Sequence, residues 1–322
     1  MTNKLSIIVC CYNSALKLPK TLEHLAQQKV SADVSYEVII VNNASTDNTA
    51  DFAMAYWKTL NAAAPLRVVR EETPGLVYAR ICGVYSAQYE LLLFCDDDNW
   101  LREDYVQNAV DIMNANATIG ALGGQSVLAP GIEAPDWWEE HQGNYAVGKQ
   151  LPTTGYANQR GFVYGAGLVT RKTIALKIFD PQYPLLLIGR KGDQCLSGED
   201  WEYCQRALLL GYNIYYSENL FYWHDISVNR LTMDKLQELL SSFEFGKSIG
   251  EKYKYIRSFY FESTFSKSIK LLKRCATYLI ANTHNKDRKL ELLWYQLCLC
   301  KMINISDIEM NNIIDWINKY SK

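Results

Sequence analysis

Short apolar runs alternate with helix-patterned stretches through the first 127 residues. The segments "LSIIVCC" (5–11), "YEVIIVN" (36–42), "LRVVR" (66–70), "ELLLFC" (90–95) and "IGALGGQSV" (119–127) are compact and rich in leucine or β-branched residues, and they read as strands. Between them, "ALKLPKTLEHLAQQ" (15–28) sets Leu18, Leu22 and Leu25 at helical spacing, with Pro19 suited to the first turn. "STDNTADFAMAYWKTL" (45–60) opens on capping residues, and "GLVYARICGVYSA" (75–87) and "REDYVQNAVDIMNAN" (102–116) continue the alternation. Continuous apolar strands separated by helices predict an α/β fold, Rossmann-like, with a mostly parallel sheet covered on both faces. Ligands of such sheets bind beyond the carboxyl ends of the strands. The residues to inspect are therefore Tyr12, Asn13 and those at 42–47, 71–75 and 96–99.

The pattern changes downstream. Pro130, Pro135, Pro152 and several glycines make 128–160 irregular. A strand is expected over 161–170, a helix over 171–179, a helix over 199–211 ending on Gly211, and a strand over 212–217. From residue 231 helical patterns dominate. The division expected is a first domain over 1–230, in halves 1–127 and 128–230, and a helical region over 231–322.

Composition narrows the class. With 322 residues, 48% of them hydrophobic and 21% charged, the chain can bury a large core and is not disordered. A net charge of −2 gives no overall electrostatic case for nucleic acid. Residues 231–322 carry +5 against −7 for the rest, with 11 basic and 3 acidic residues between 245 and 290. Interleaved with aromatics, that basic stretch is expected to be a helix with a solvated face, or a peripheral contact with anionic lipid. The nine cysteines are odd in number and form no CxxC pair, which suits free thiols in a reducing compartment. With no signal-peptide layout and no apolar run of about 18–20 residues, a cytoplasmic protein is expected, with the inner membrane face as a peripheral alternative.

One stretch carries the chemistry. In "ELLLFCDDDNW" a buried strand runs straight into Asp96, Asp97 and Asp98. Three adjacent carboxylates repel one another, and a hard divalent cation such as Mn2+ or Mg2+ would relieve them. A solvated acidic turn capping the next helix is the plainer alternative.

The chain resembles family 2 glycosyltransferases of the GT-A nucleotide-diphospho-sugar transferase fold. The resemblance is carried by "SIIVCCYN", "EVIIVNNASTDNT", "GLVYARICGV", "LLLFCDDDN" and "SGEDWEYCQRALLLGY", in that order over roughly 4–226. It implies an inverting transfer from a nucleotide-diphosphate sugar, UDP favoured, to a hydroxyl of a glycan or lipid-linked acceptor. It further implies Asp98 and His224 as metal ligands and Asp200 as the base, with Glu199 beside it. Tyr12, Asn42, Asp47, Arg80, Asp96 and Asp97 fall on the donor side, although Asn42 stands where the family often has Asp. Asp97, between the two metal-motif acids, is expected to point elsewhere, with a solvated turn residue as the plainer alternative. Trp137, Trp138, Gly165 and Gly167 are candidates for the acceptor, and 185–200 for a lid. Glu202 and Arg206, at i,i+4, are expected to pair on the surface.

Three rivals remain open. A HAD-type phosphohydrolase also uses D-x-D after an apolar strand, but on its first strand. A nucleotidyltransferase would need a Gly-rich basic loop where "CYNSALKLP" stands. A non-catalytic relative would bind the nucleotide sugar without transferring it.

Overall fold

The computed structural model describes residues 2–190, 197–259 and 307–320, with 269, 272, 273 and 290 as isolated positions. The first unit alternates as its apolar pattern requires. Its elements are β1 (Lys4–Cys11), α1 (Leu18–Ala26), β2 (Ser35–Asn43), α2 (Thr49–Thr59), β3 (Leu66–Glu71), α3 (Leu76–Ser86), β4 (Leu91–Asp96), β5 (Asn99–Leu101), α4 (Tyr105–Ala115) and β6 (Ile119–Leu128). They are followed by α5 (Trp138–His141), β7 (Gly155–Tyr156), β8 (Val169–Arg171), α6 (Lys172–Ile178), α7 (Glu199–Leu209), β9 (Asn213–His224) and α8 (Met233–Phe259).

The described strands form one sheet in the order β3-β2-β1-β4-β8-β6-β9-β5, with β7 on β9. The long strands pair in parallel, β2 with β3, β1 with β2 and β4, and β6 with β9. The short strands β5, β7 and β8 run antiparallel. Leu5, Ile7, Ile8 and Val9 of β1 are fully buried, as are Leu91, Leu92 and Leu93 of β4, because helices cover both faces. A Cβ at Gly83 of α3 would collide with Ile8, so glycine lets this helix lie directly on β1.

Several expectations shift. Of the strand expected over 161–170 only Val169–Arg171 forms, since the chain bends back on itself where the Leu168 N–H donates to the Gly165 carbonyl at 3.3 Å. The strand expected to stop at 217 continues unbroken to His224. Strand β5, directly after the aspartate triplet, was not anticipated. The 45–60 helix begins only at Thr49, because Asp47 and Asn13 hold the preceding loop.

Two compact units part between Gly246 and Lys247, later than residue 230. The reason is local. Leu231, Leu236 and Leu239 pack into a cluster with Trp138, Tyr145, Val147 and Ile226, binding the start of α8 to the first unit. In the second unit Lys252 pairs with Asp307 at 2.7 Å and Glu309 at 2.6 Å, and the helix Ile308–Tyr320 buries Met310, Ile313, Trp316 and Ile317. Among the described residues no helix is long and apolar enough to cross a membrane. Most of the basic aromatic stretch 245–290 lies outside the described residues, although its Tyr253 and Tyr255 are described and buried. Residues 191–196 of the expected lid lie outside them too.

Candidate active site

The carboxyl ends of the parallel strands gather most of the expected residues. Asp96 ends β4 opposite Cys10 of β1, and its N–H donates to Asn99 Oδ1 at 3.2 Å. The turn then delivers Asp97 and Asp98. Pairing of β5 with β9 sets Asn99 against His224, and the Asp225 N–H donates to the Asp98 carbonyl at 2.8 Å. This register brings His224 Nε2 to 3.4 Å from Asp98 Oδ1. Both side chains are 7% exposed. Arg230 Nη1 stands 3.4 Å from the other oxygen, Oδ2. Burial opposes ionisation of Asp98, yet His224 and Arg230 hold its carboxyl well below the usual range.

Asp97 points away from its neighbours in the triplet, and it is not the solvated turn residue of the plainer alternative. Ser14 Oγ donates to its carboxylate, Lys17 lies 3.9 Å away, and Thr21 Oγ1 donates to its carbonyl at 2.8 Å. Burial, and then the charge of Asp98, push its pKa up to about 6. Its side chain ties the triplet to the β1–α1 loop instead of facing solvent. Asp47 is likewise a brace, since Thr49 and the Ala15 N–H occupy its two oxygens.

On the nucleotide side, Tyr12 is 49% exposed and follows Cys11, the strand neighbour of Asn42. Asn42 Oδ1 is buried with no protein partner, an unmet hydrogen-bond acceptor at the end of β2. Its neighbour Asn43, to which the sequence assigned no role, organises the next loop. It accepts from the Gly75 N–H at 2.8 Å and donates to the carbonyls of Glu71 and Thr73.

Arg80 on α3 is the hub of the site. It is 5% exposed, its guanidinium lies over the Phe94 ring, and its Nη1 is 3.4 Å from Glu199 Oε1. Burial would lower its pKa, but Glu199, Asp96 and Asp200 together hold it above the usual value. Glu199 opens α7 and is pushed up to about 7 by burial and then by Asp200, with Arg80 opposing. Asp200 accepts from the Gly165 N–H at 2.9 Å and from the Trp201 N–H at 2.7 Å. A Cβ at Gly165 would sit 2.7 Å from Arg80 Nη2 and 3.0 Å from Asp200 Cβ. Gly165 therefore seats the acid pair, and is not an open wall for an acceptor.

Three further expectations are corrected. Gly167 faces the core, because a Cβ there would collide with the Tyr105 hydroxyl, and its φ of +76° suits glycine. Trp138 is buried against Tyr145, so it anchors its loop, while Trp137 stays half-buried on the same cluster. Glu202 and Arg206 form a fully buried pair at 3.3 Å, not a surface one. Arg230 was missed because "SVNRLT" carries no local signal of a partner 132 residues away.

A parallel sheet with an aspartate turn at its carboxyl edge, facing an acid pair at the mouth of a later helix, defines the GT-A class of α/β glycosyltransferases. Residues 6–178 match the glycosyl transferase family 2 model, and the chain belongs to that family. Among curated relatives it is similar to the putative glycosyltransferase EpsH of Bacillus subtilis, 33% identical over 106 residues. It is also similar to the poly(ribitol-phosphate) beta-N-acetylglucosaminyltransferase TarS of Staphylococcus aureus, 29% identical over 106 residues. Each match covers 33% of this chain, but only 29% and 18% of those proteins' own lengths. The structure of S. aureus TarS 1-349 in complex with UDP-GlcNAc superposes with a TM-score of 0.53 at 16% identity, over 99% of this chain and 89% of that one. That likeness concerns the fold.

Proposed function

We propose that the protein is an inverting glycosyltransferase that moves a sugar from a UDP-sugar to a hydroxyl of a glycan or lipid-linked acceptor. The observation that carries this reading is Arg80, one buried guanidinium paired with Glu199 and lying in the field of Asp96 and Asp200. It links the donor side of the site to the acid that would take the acceptor's proton. Asp200 is the proposed base, held by two backbone N–H groups with its carboxylate beside Arg80. Glu199 keeps Arg80 in place.

Tyr12 and the unpartnered Asn42 carbonyl would meet the base. A pyrimidine with its own N–H suits that carbonyl, which favours uracil. Asp96 would face the ribose or the donor sugar. The half-buried Trp137 is the ring with a face to offer an acceptor. The S. aureus protein whose fold this chain shares was crystallised with UDP-GlcNAc, which makes UDP the first nucleotide to try.

A divalent cation, Mn2+ or Mg2+, fits as a partial site. Asp98 Oδ1 and His224 Nε2 lie 3.4 Å apart, close enough to share one ion, and His224 Nδ1 is buried without a protein partner. Among the described residues no cluster of three His, Cys, Asp or Glu side chains is gathered for a metal, so the diphosphate and water would complete the set. When bound, such an ion neutralises charge developing on the leaving diphosphate.

Calorimetric titration of UDP and GDP, with and without Mn2+, on wild type and Asp98→Asn tests the assignment. UDP binding that needs Mn2+ and is lost in the variant supports it. A preference for GDP would move the base assignment away from Asn42. Absence of binding by both nucleotides would remove the donor site.

A further inference from the structure

Asp98 already has a cation beside it. Arg230 closes the short turn Val228–Arg230, where its N–H donates to the Ser227 carbonyl at 2.8 Å and its own carbonyl accepts from Tyr145 Oη at 3.0 Å. Tyr145 belongs to the apolar cluster around Trp138, so the backbone of Arg230 is fixed. Its side chain is held less firmly. One nitrogen reaches Asp98 Oδ2 at 3.4 Å, a long single contact without the two-pronged geometry of a strong arginine–carboxylate pair. That contact is on the opposite oxygen from the one His224 faces.

The Arg230 side chain is 24% exposed against 7% for Asp98, so the guanidinium lies on the solvent side of the pair. A partly exposed guanidinium held by one long contact can turn to a second anion such as a diphosphate. A divalent ion on Asp98 would also repel Arg230 from its seat.

On the reading of Asp98 and His224 as metal ligands, we propose that Arg230 is a displaceable counter-ion. It neutralises Asp98 while the ion is away and turns to the donor's diphosphate when the ion takes the carboxylate. Arg230 is thus a donor-binding residue whose two positions make metal and nucleotide bind cooperatively. Free metal must compete with a tethered guanidinium, so it binds weakly alone. Bound diphosphate gives that guanidinium somewhere to go, and the ion then binds more tightly.

The test is calorimetry of Mn2+ alone, and of UDP at saturating Mn2+, on wild type, Arg230→Met and Arg230→Lys, with thermal melts as the folding control. The exchange predicts that Arg230→Met binds Mn2+ alone about tenfold more tightly and UDP about tenfold more weakly. Arg230→Lys keeps the charge, so it should bind Mn2+ near the wild-type affinity and UDP at an intermediate one. Unchanged or weaker Mn2+ binding in Arg230→Met would make Arg230 an ordinary anchor and overturn the exchange. Should that variant not fold, unaltered UDP affinity in Arg230→Lys would overturn it equally. Wild type binding UDP with no response to Mn2+ would instead remove the metal assignment, and the exchange with it.

Discussion

Helix α7 bears two glutamates about one turn apart, each in a buried pair with an arginine, and the two pairs are built differently. Glu202 is saturated. Its Oε2 accepts from the N–H groups of Leu186 and Leu187, and its Oε1 faces Arg206. Arg206 in turn donates to the carbonyls of Ile178, Tyr183 and Pro184. This pair staples α6, α7 and the segment between them. Glu199 faces Arg80 through one contact of 3.4 Å, and its pKa is pushed up to about 7. A buried ion pair with every group satisfied is a structural joint. One left loose, with a proton near neutrality, is arranged for a ligand.

That contrast can be broken by experiment. Arg206→Met should have the largest effect, lowering stability by about 4 kcal/mol, because it leaves the Glu202 carboxylate buried with its charge unpaired. Denaturant unfolding reads the loss, while turnover per folded molecule should stay near wild type. If turnover falls and stability holds, the assignments of the two pairs are reversed. Arg80→Lys should do the opposite, costing about a hundredfold in kcat, or about 2.7 kcal/mol, since a compact ammonium cannot keep both the contact to Glu199 and the seat over the Phe94 ring. Its melting temperature should move little.

Glu199→Gln sharpens the contrast through pH. The folded-state pKa lies above the ordinary value, so the stability linked to this group is present below about pH 4.5. It is lost as pH rises through about 7. The variant should therefore match wild type near pH 5 and exceed it by about 2 kcal/mol at pH 8, read as a growing difference in melting temperature. A constant difference across that range would contradict the raised pKa. Gly165→Ala is the mildest, expected to lower kcat about tenfold by pressing on Arg80 and Asp200. Donor affinity should change less.

The legible parts of the sequence were those governed by local pattern. Strands β1 to β4 and β6 are apolar runs, and each lies within two residues of its expected bounds. The aspartate turn and the Glu199–Asp200 pair stood out because charge at an element's end is a local signal. What depended on distant partners was not legible. Glu202 and Arg206 have the spacing of any surface pair, and only the fold of residues 178–187 around them makes them internal. Trp138 and Gly167 looked like ligand contacts because their burying partners, Leu236 and Leu239 for the one and Tyr105 for the other, lie far away in sequence. Arg230 needed the β5–β9 register to bring its turn to Asp98.

The central claim is that Asp200 moves the acceptor's proton while the aspartate turn holds the donor. The direct measurement is paired UDP binding and UDP-sugar turnover on wild type and Asp200→Asn, with water as the acceptor where none better is known. The account predicts UDP affinity within about twofold of wild type and turnover lower by about a thousandfold. Turnover within a few-fold of wild type, with UDP still bound, would contradict it and move the base elsewhere.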